Sequence, residues 1–185
     1  MDHFFSAKSQ DALEPLGADC NLLYKTGMPN QSTYPFHAIS KPRHPTRTIN
    51  LGGVDLGGQA PIRIQSMTNT DTRNPQATLD QIQSLASAGC EIVRLAVPDQ
   101  RAVDALPQIL DASPVPLIAD IHFDYRLALA AIEAGIHGLR INPGNIGSLE
   151  RINRVVDAAS ASNIPIRIGV NSGSVEKNIL KRFGG

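Results

Sequence analysis

Between residues 62 and 171, short β-rich runs alternate with amphipathic runs, and this alternation constrains the fold more than any other feature of the sequence. Strands are expected near 62–67, 92–97, 117–123, 138–142 and 166–171, and helices near 75–88, 100–112, 125–134 and 148–162. Leu127, Ala130, Ala131 and Ala134 repeat the i, i+3, i+4, i+7 spacing of one helical face, and Gly89 and Gly135 stand where a helix C-terminal glycine belongs. Pro107 is the exception, expected to kink or restart the second helix. Strands separated by helices join in parallel, because a hairpin cannot connect them, so the class is α/β with a parallel sheet.

Two architectures satisfy the alternation: an open doubly wound sheet and an eight-stranded barrel. Parallel strands covered by helices on both faces are apolar nearly throughout. Four of these strands are not. Arg94, Asp120 with His122, Arg140 with Asn142, and Arg167 with Asn171 interrupt them, each toward its C-terminal end. Inward side chains at that end of a closed barrel line the active-site mouth, which gives all of these residues one destination. The sequence therefore reads as a TIM (β/α)8 barrel of which about the first five βα units are present. Residues 46–51 and 54–56, flanking Gly52-Gly53, are expected to form a short β-hairpin before it. Residues 1–45 are polar, Pro- and His-containing and without period, an irregular N-terminal arm on which Phe4, Phe5 and Tyr34 offer docking side chains. The expected division is an arm over 1–45 and part of a barrel over 46–185.

Within the barrel, Leu139-Arg140-Ile141-Asn142-Pro143-Gly144-Asn145-Ile146-Gly147-Ser148 reads as a strand end, a turn at Pro143-Gly144 and a helix capped by Gly147 or Ser148. Ile152, Val155, Val156 and Ala159 form that helix's apolar stripe. Unpaired N–H groups and the positive dipole end would make an anion site there, with Arg140 supplying the charge. Ala88-Gly89-Cys90-Glu91-Ile92-Val93-Arg94-Leu95 echoes Ala134-Gly135-Ile136-His137-Gly138-Leu139-Arg140-Ile141 at an offset of 46 residues. Arg94 and Arg140 should thus occupy equivalent places.

Three guanidinium groups in one cavity repel one another and resist burial, so a polyanion such as a diphosphate is their natural partner. The alternative is that each pairs with a carboxylate such as Asp120 or Asp124. Asp120, His122 and Asp124 share a strand parity, which suits substrate hydrogen bonding or proton transfer, a structural ion-pair network, or, less well, metal ligation. Ser66-Met67-Thr68-Asn69-Thr70 ends the first strand with short polar side chains whose facing the sequence leaves open. The chain is neutral, with 17 basic against 17 acidic residues and no basic run, which argues against a nucleic-acid partner. No stretch approaches the ~18 apolar residues of a membrane span, and no secretory leader is present, so a cytoplasmic location is expected. Cys20 and Cys90 stand far apart, outside any Cys-x-x-Cys spacing. Neither a disulfide, nor a metal site, nor a cluster ligated from within the sequence is expected.

Four blocks are more specific than any of these patterns: Ile64-Gln65-Ser66-Met67-Thr68-Asn69-Thr70, Ile118-Ala119-Asp120-Ile121-His122-Phe123-Asp124-Tyr125-Arg126, Leu139 to Gly147, and Ile164-Pro165-Ile166-Arg167-Ile168-Gly169-Val170-Asn171-Ser172-Gly173-Ser174. In this order they closely resemble the 4-hydroxy-3-methylbut-2-enyl diphosphate synthase family, from about Thr46 onward. The resemblance implies reductive ring opening of 2-C-methyl-D-erythritol 2,4-cyclodiphosphate, on the non-mevalonate route to isoprenoids. Electrons would arrive through a [4Fe-4S] cluster from ferredoxin or flavodoxin. Carried over by position, Arg94, Arg140, Arg167 and Asn171 match the family's diphosphate-binding positions. Asp120, His122, Asn142 and Asn145 match motif positions at the same mouth, the first two expected as catalytic and the others as substrate-binding. The family also has further barrel strands and a separate domain with three cluster cysteines and a catalytic Glu, which closes over the barrel of a homodimer mate. This sequence stops after the fifth strand, so the cluster ligands are expected outside it. The chain alone is expected to be inactive, with a sheet edge open to pairing. Two rival readings are a pterin-binding synthase barrel and a truncated, non-catalytic diphosphate-binding or assembly fragment.

Overall fold

The first five helices of the barrel region each start where a short polar side chain caps them. The computed structural model describes residues 44–175 and 177–183. The arm expected over 1–45, with Phe4, Phe5, Cys20 and Tyr34, lies outside the described residues except for its last two positions. A hairpin of β1 (Ile49–Leu51) and β2 (Val54–Leu56) comes first. Then follow β3 (Gln65–Met67), α1 (Pro75–Ser87), β4 (Ile92–Ala96), α2 (Gln100–Ala112), β5 (Leu117–Ile121) and α3 (Tyr125–Glu133). The last elements are β6 (Gly138–Ile141), α4 (Pro143–Ile146), α5 (Leu149–Ala161), β7 (Ile166–Ile168), a 3-10 turn at Ser172–Ser174 and α6 (Lys177–Phe183).

Asn74, Asp99, Asp124 and Ser148 cap α1, α2, α3 and α5, each side chain accepting a backbone N–H of the first turn. Such a cap contributes about 1 kcal/mol. Two expectations need correction. Pro107 does not restart α2, which runs continuously through it: the ring is exposed, while Val103, Leu106 and Ile109 bury the opposite stripe. The turn at Pro143-Gly144 is the one-turn helix α4, because the Asn142 side chain accepts the Gly144 N–H and caps it.

Five strands form one parallel sheet in the order β3-β4-β5-β6-β7. A doubly wound sheet reverses its order at a switch point, whereas this one advances in a single direction, as a barrel does. Curvature is fixed by one contact. Arg167 of β7 donates from Nη1 to Oε1 of Gln65 in β3 at 3.1 Å, joining the two edge strands. In a flat sheet those strands would lie about 19 Å apart, at ~4.8 Å per neighbour, farther than the two side chains reach together. The sheet therefore curls so that one face is concave.

The convex face carries Val93, Leu95, Leu117, Ala119, Ile121, Leu139 and Ile141 into a core with Ile82, Leu106, Ile109, Ala131 and Val155 of the helices. Burying each Leu or Ile contributes roughly 1.5–3 kcal/mol. On the concave face the hairpin closes the N-terminal end, where Leu51 packs with Ile92 and Ile118. A Cβ at Gly138 would meet the Leu51 side chain at 2.8 Å, so this small residue makes room for the plug. Polar residues are left with the C-terminal end. The sequence echo also has a structural counterpart: Gly89 (φ 93°) and Gly135 (φ 87°) end α1 and α3 in left-handed conformation. Behind them, Cys90 and Ile136 donate to Leu85 and Ala131 at 3.0 and 3.1 Å, the Schellman pattern.

His137 ties this scaffold together at the N-terminal end. Its Nδ1 accepts the Leu117 N–H at 3.2 Å, and burial holds the imidazole below its ordinary value. Below about pH 6.5 the unfolded chain takes up a proton that the folded chain resists, so stability is full above that pH and falls as pH drops through it. The thermal midpoint should therefore decline from about pH 7 to 5.5. His137→Asn, whose Oδ1 can still accept the Leu117 N–H, should flatten that part of the profile. An unchanged slope in the variant would show that other groups carry it.

Candidate anion-binding site

Register decides which side chains meet at the concave C-terminal end. Met67 pairs with Arg94, Ala96 with Asp120, Asp120 with Arg140, and Arg140 with Arg167. In-register residues of parallel neighbours share a face, so all of these point the same way. Asp120 is the centre. Its carboxylate is only 3% exposed, with Oδ2 3.3 Å from Nε of Arg94 and Oδ1 3.1 Å from Nη1 of Arg140. His122 approaches Oδ1 with Nε2 at 3.5 Å, and its ring, 53% exposed, stands at the rim beside Phe123.

Arg94 also donates from Nη2 and Nε to the Met67 thioether at 3.1 and 3.3 Å. Burial, with the charges of Arg167 and Arg140 working against the pull of Asp120, holds its guanidinium below its ordinary value. Even so, Arg94 stays charged at any physiological pH. Two of the three guanidinium groups thus share one carboxylate, the third has none, and two positive charges remain in excess. Arg167 is the exposed member, held by the neutral Gln65 amide.

The other expected site residues take different places. Asn142 is 1% exposed, and both ends of its amide are engaged: Oδ1 accepts the Gly144 N–H at 3.1 Å and Nδ2 donates to the Ser174 hydroxyl at 2.8 Å. A side chain so enclosed contributes to building the rim. Asn145 lies in α4, its N–H closing on the Asn142 carbonyl, and Asn171 exchanges backbone hydrogen bonds with Ser174. Nor is the start of α4 an open anion site. Asn142 takes its Gly144, Asn145 and Ile146 N–H groups, and the helix is only 4 residues long. Asp124 leaves the cluster to cap α3 and pair with Arg126, so the Asp120, His122, Asp124 trio does not gather as ligands. Asp120, expected to take part in catalysis, stands in this fold as the counter-ion of two arginines.

Sequence reasoning missed Gln65 and Met67, because polar residues occupied both parities of the first strand; the pairing of Met67 with Arg94 settles them. Ser174 and Gly169 were also missed. The i, i+2 pattern of Arg167, Gly169 and Asn171 was the signal for Gly169.

No three His, Cys, Asp or Glu side chains come together as metal ligands among the described residues. Cys90, the cysteine described, is buried and donates its thiol to the Ile92 carbonyl. These residues do not fit an iron–sulfur cluster. Among them no helix is long and apolar enough to cross a membrane.

The sheet order, its curvature and the charged C-terminal rim define a barrel-type α/β domain with a cluster of arginines at its mouth. The chain belongs to the GcpE TIM-barrel domain family, which matches residues 46–185. The resemblance read from the sequence is thus borne out. It is 65% identical over 143 residues to the 4-hydroxy-3-methylbut-2-en-1-yl diphosphate synthase (flavodoxin) of Lawsonia intracellularis (strain PHE/MN1-00), covering 77% of the chain and 40% of that relative. The enzyme of the same name from Geobacter sulfurreducens (strain ATCC 51573 / DSM 12127 / PCA) is 60% identical over 139 residues, 75% of the chain and 39% of the relative. The chain therefore spans about two-fifths of the length of these curated relatives. Among solved structures, the dihydropteroate synthase of Yersinia pestis superposes with a TM-score of 0.53 at 16% identity, over 74% of this chain and 53% of that one. At that identity the likeness is one of fold alone.

Proposed function

We propose that residues 46–185 are the N-terminal part of the substrate-binding barrel of a 4-hydroxy-3-methylbut-2-en-1-yl diphosphate synthase, and that the arginine cluster binds the diphosphate of the cyclodiphosphate substrate. The reading rests above all on charge. Three guanidinium groups around a single buried carboxylate need an anion of about two charges to neutralise them, and a diphosphate supplies it with bidentate acceptors. In this assignment Arg94, Arg140 and Arg167 bind the diphosphate, Asp120 orients two of them, and His122 is the exposed group that hydrogen-bonds the substrate at the rim. Asn145 in α4, which follows β6, and Asn171, which follows β7, are assigned to the same binding surface. The whole enzyme would use a [4Fe-4S] cluster held by residues outside those described, with flavodoxin or ferredoxin as donor, as a cytoplasmic homodimer.

The exposed Ile62 and Ile64 just before β3, Ile168 at the end of β7 and Val170 just after it agree with this assignment, as apolar positions at the two sheet edges that further barrel strands would cover. Calorimetric titration of the chain with inorganic pyrophosphate tests the core of the reading. Binding is expected, and Arg140→Met should weaken it by more than ~1.5 kcal/mol, over tenfold in Kd, the loss of a charge-assisted hydrogen bond. An equal affinity in the variant would remove Arg140 from the site.

A further inference from the structure

Resting on that anion-binding assignment, we infer that Gly169 is a positioning residue for Arg140: the side chain missing at 169 is the space in which the guanidinium lies. A Cβ built on Gly169 would stand 2.5 Å from Nε, 2.6 Å from Nη2 and 2.9 Å from Cζ of Arg140. Real Cβ atoms do not approach heavy atoms so closely, so any other residue must displace the guanidinium. Backbone conformation does not explain the glycine, because Gly169 is not among the residues with positive φ. Its N–H bonds the Ile141 carbonyl at 2.9 Å as an ordinary continuation of the β6–β7 ladder. Space is therefore the reason for glycine here.

The kind of neighbour decides the consequence. At Gly144 a Cβ would collide with the backbone carbonyl of Ser174, whereas at Gly169 it meets only the far end of a long side chain. Arg140 can swing aside at little cost in folding. It cannot do so and keep its place, because Nη1 reaches Asp120 at 3.1 Å while Nε, Cζ and Nη2 occupy the space a Cβ at 169 would take. A methyl group at 169 would turn the fork away from Asp120 and from the anion bound between Arg140, Arg94 and Arg167. The bare strand at 169 acts as a seat that fixes one guanidinium for bidentate use.

Gly169→Ala, Arg140→Met and the double variant of the full chain test this by pyrophosphate calorimetry and thermal melting. Gly169→Ala is expected to weaken pyrophosphate binding about tenfold with a melting midpoint close to that of the natural chain. In the Arg140→Met background it should change affinity less than twofold, since the group it displaces is gone. Unchanged affinity in Gly169→Ala overturns the inference while leaving the anion site standing. So does an equal loss in both backgrounds, or a midpoint that collapses as it would for a core lesion. A natural chain that does not bind pyrophosphate overturns the anion assignment and this inference together.

Discussion

Asp120→Ala should lower the stability of the chain by about 3 kcal/mol, the low end for removing one partner of a buried ion pair. Two guanidinium groups lose their carboxylate at once, and their side chains are only 23% and 17% exposed. Repulsion between them, and between each and Arg167, then goes unopposed. The open mouth allows partial relief by rotation toward water, which is why the low end of the range applies. For a domain of this size the loss corresponds to a midpoint lower by roughly 6–12 °C. Anions should reverse it in a telling way. Millimolar pyrophosphate binds the folded state only, so it should raise the midpoint of the variant more than that of the natural chain, supplying the missing negative charge. Melting curves with and without pyrophosphate decide the matter. A variant as stable as the natural chain would mean that Asp120 is not the counter-ion of the cluster; a destabilised variant indifferent to pyrophosphate would mean that the anion does not bind among the arginines.

How much of this was legible in the sequence follows from where each signal is local. The alternation of strands and helices, the Ser148 cap and the echo that places Arg94 and Arg140 alike all depend on neighbours within a few residues or on a repeat, and they hold. Strand length was overestimated. His122 and Asn142 continue the alternating pattern but lie beyond β5 and β6, with the Asn142 amide committed to capping. The pairing of both Arg94 and Arg140 with one carboxylate, and of Arg167 with Gln65 across the concave face, is set by register and curvature that no single run of residues encodes. The sequence posed a choice between diphosphate and carboxylate as partner of the arginines. In the fold one carboxylate serves two of the three, and the proposal of a bound anion rests on that imbalance.

Asn142→Ala should cost about 3 kcal/mol while leaving pyrophosphate affinity nearly intact, the opposite balance to Arg140→Met. The amide is buried and bridges two segments far apart in sequence, the start of α4 through Gly144 and the turn after β7 through Ser174. Its removal leaves the Gly144 N–H uncapped and the Ser174 hydroxyl short of a donor, at about 1–3 kcal/mol for each buried group left unsatisfied. It also frees the turn that follows Gly169, where Ser174 takes the Asn171 N–H at 3.1 Å and donates to the Asn171 carbonyl at 2.8 Å. Amide exchange of Ser174 should consequently accelerate more than that of residues in β5, which share no contact with the lost amide. Thermal melting, exchange and pyrophosphate titration on the same variant separate the two roles. Should affinity fall as far as in Arg140→Met with stability and exchange unchanged, Asn142 is a ligand after all; should stability and exchange respond and affinity persist, it is the tie that holds the rim around the arginines.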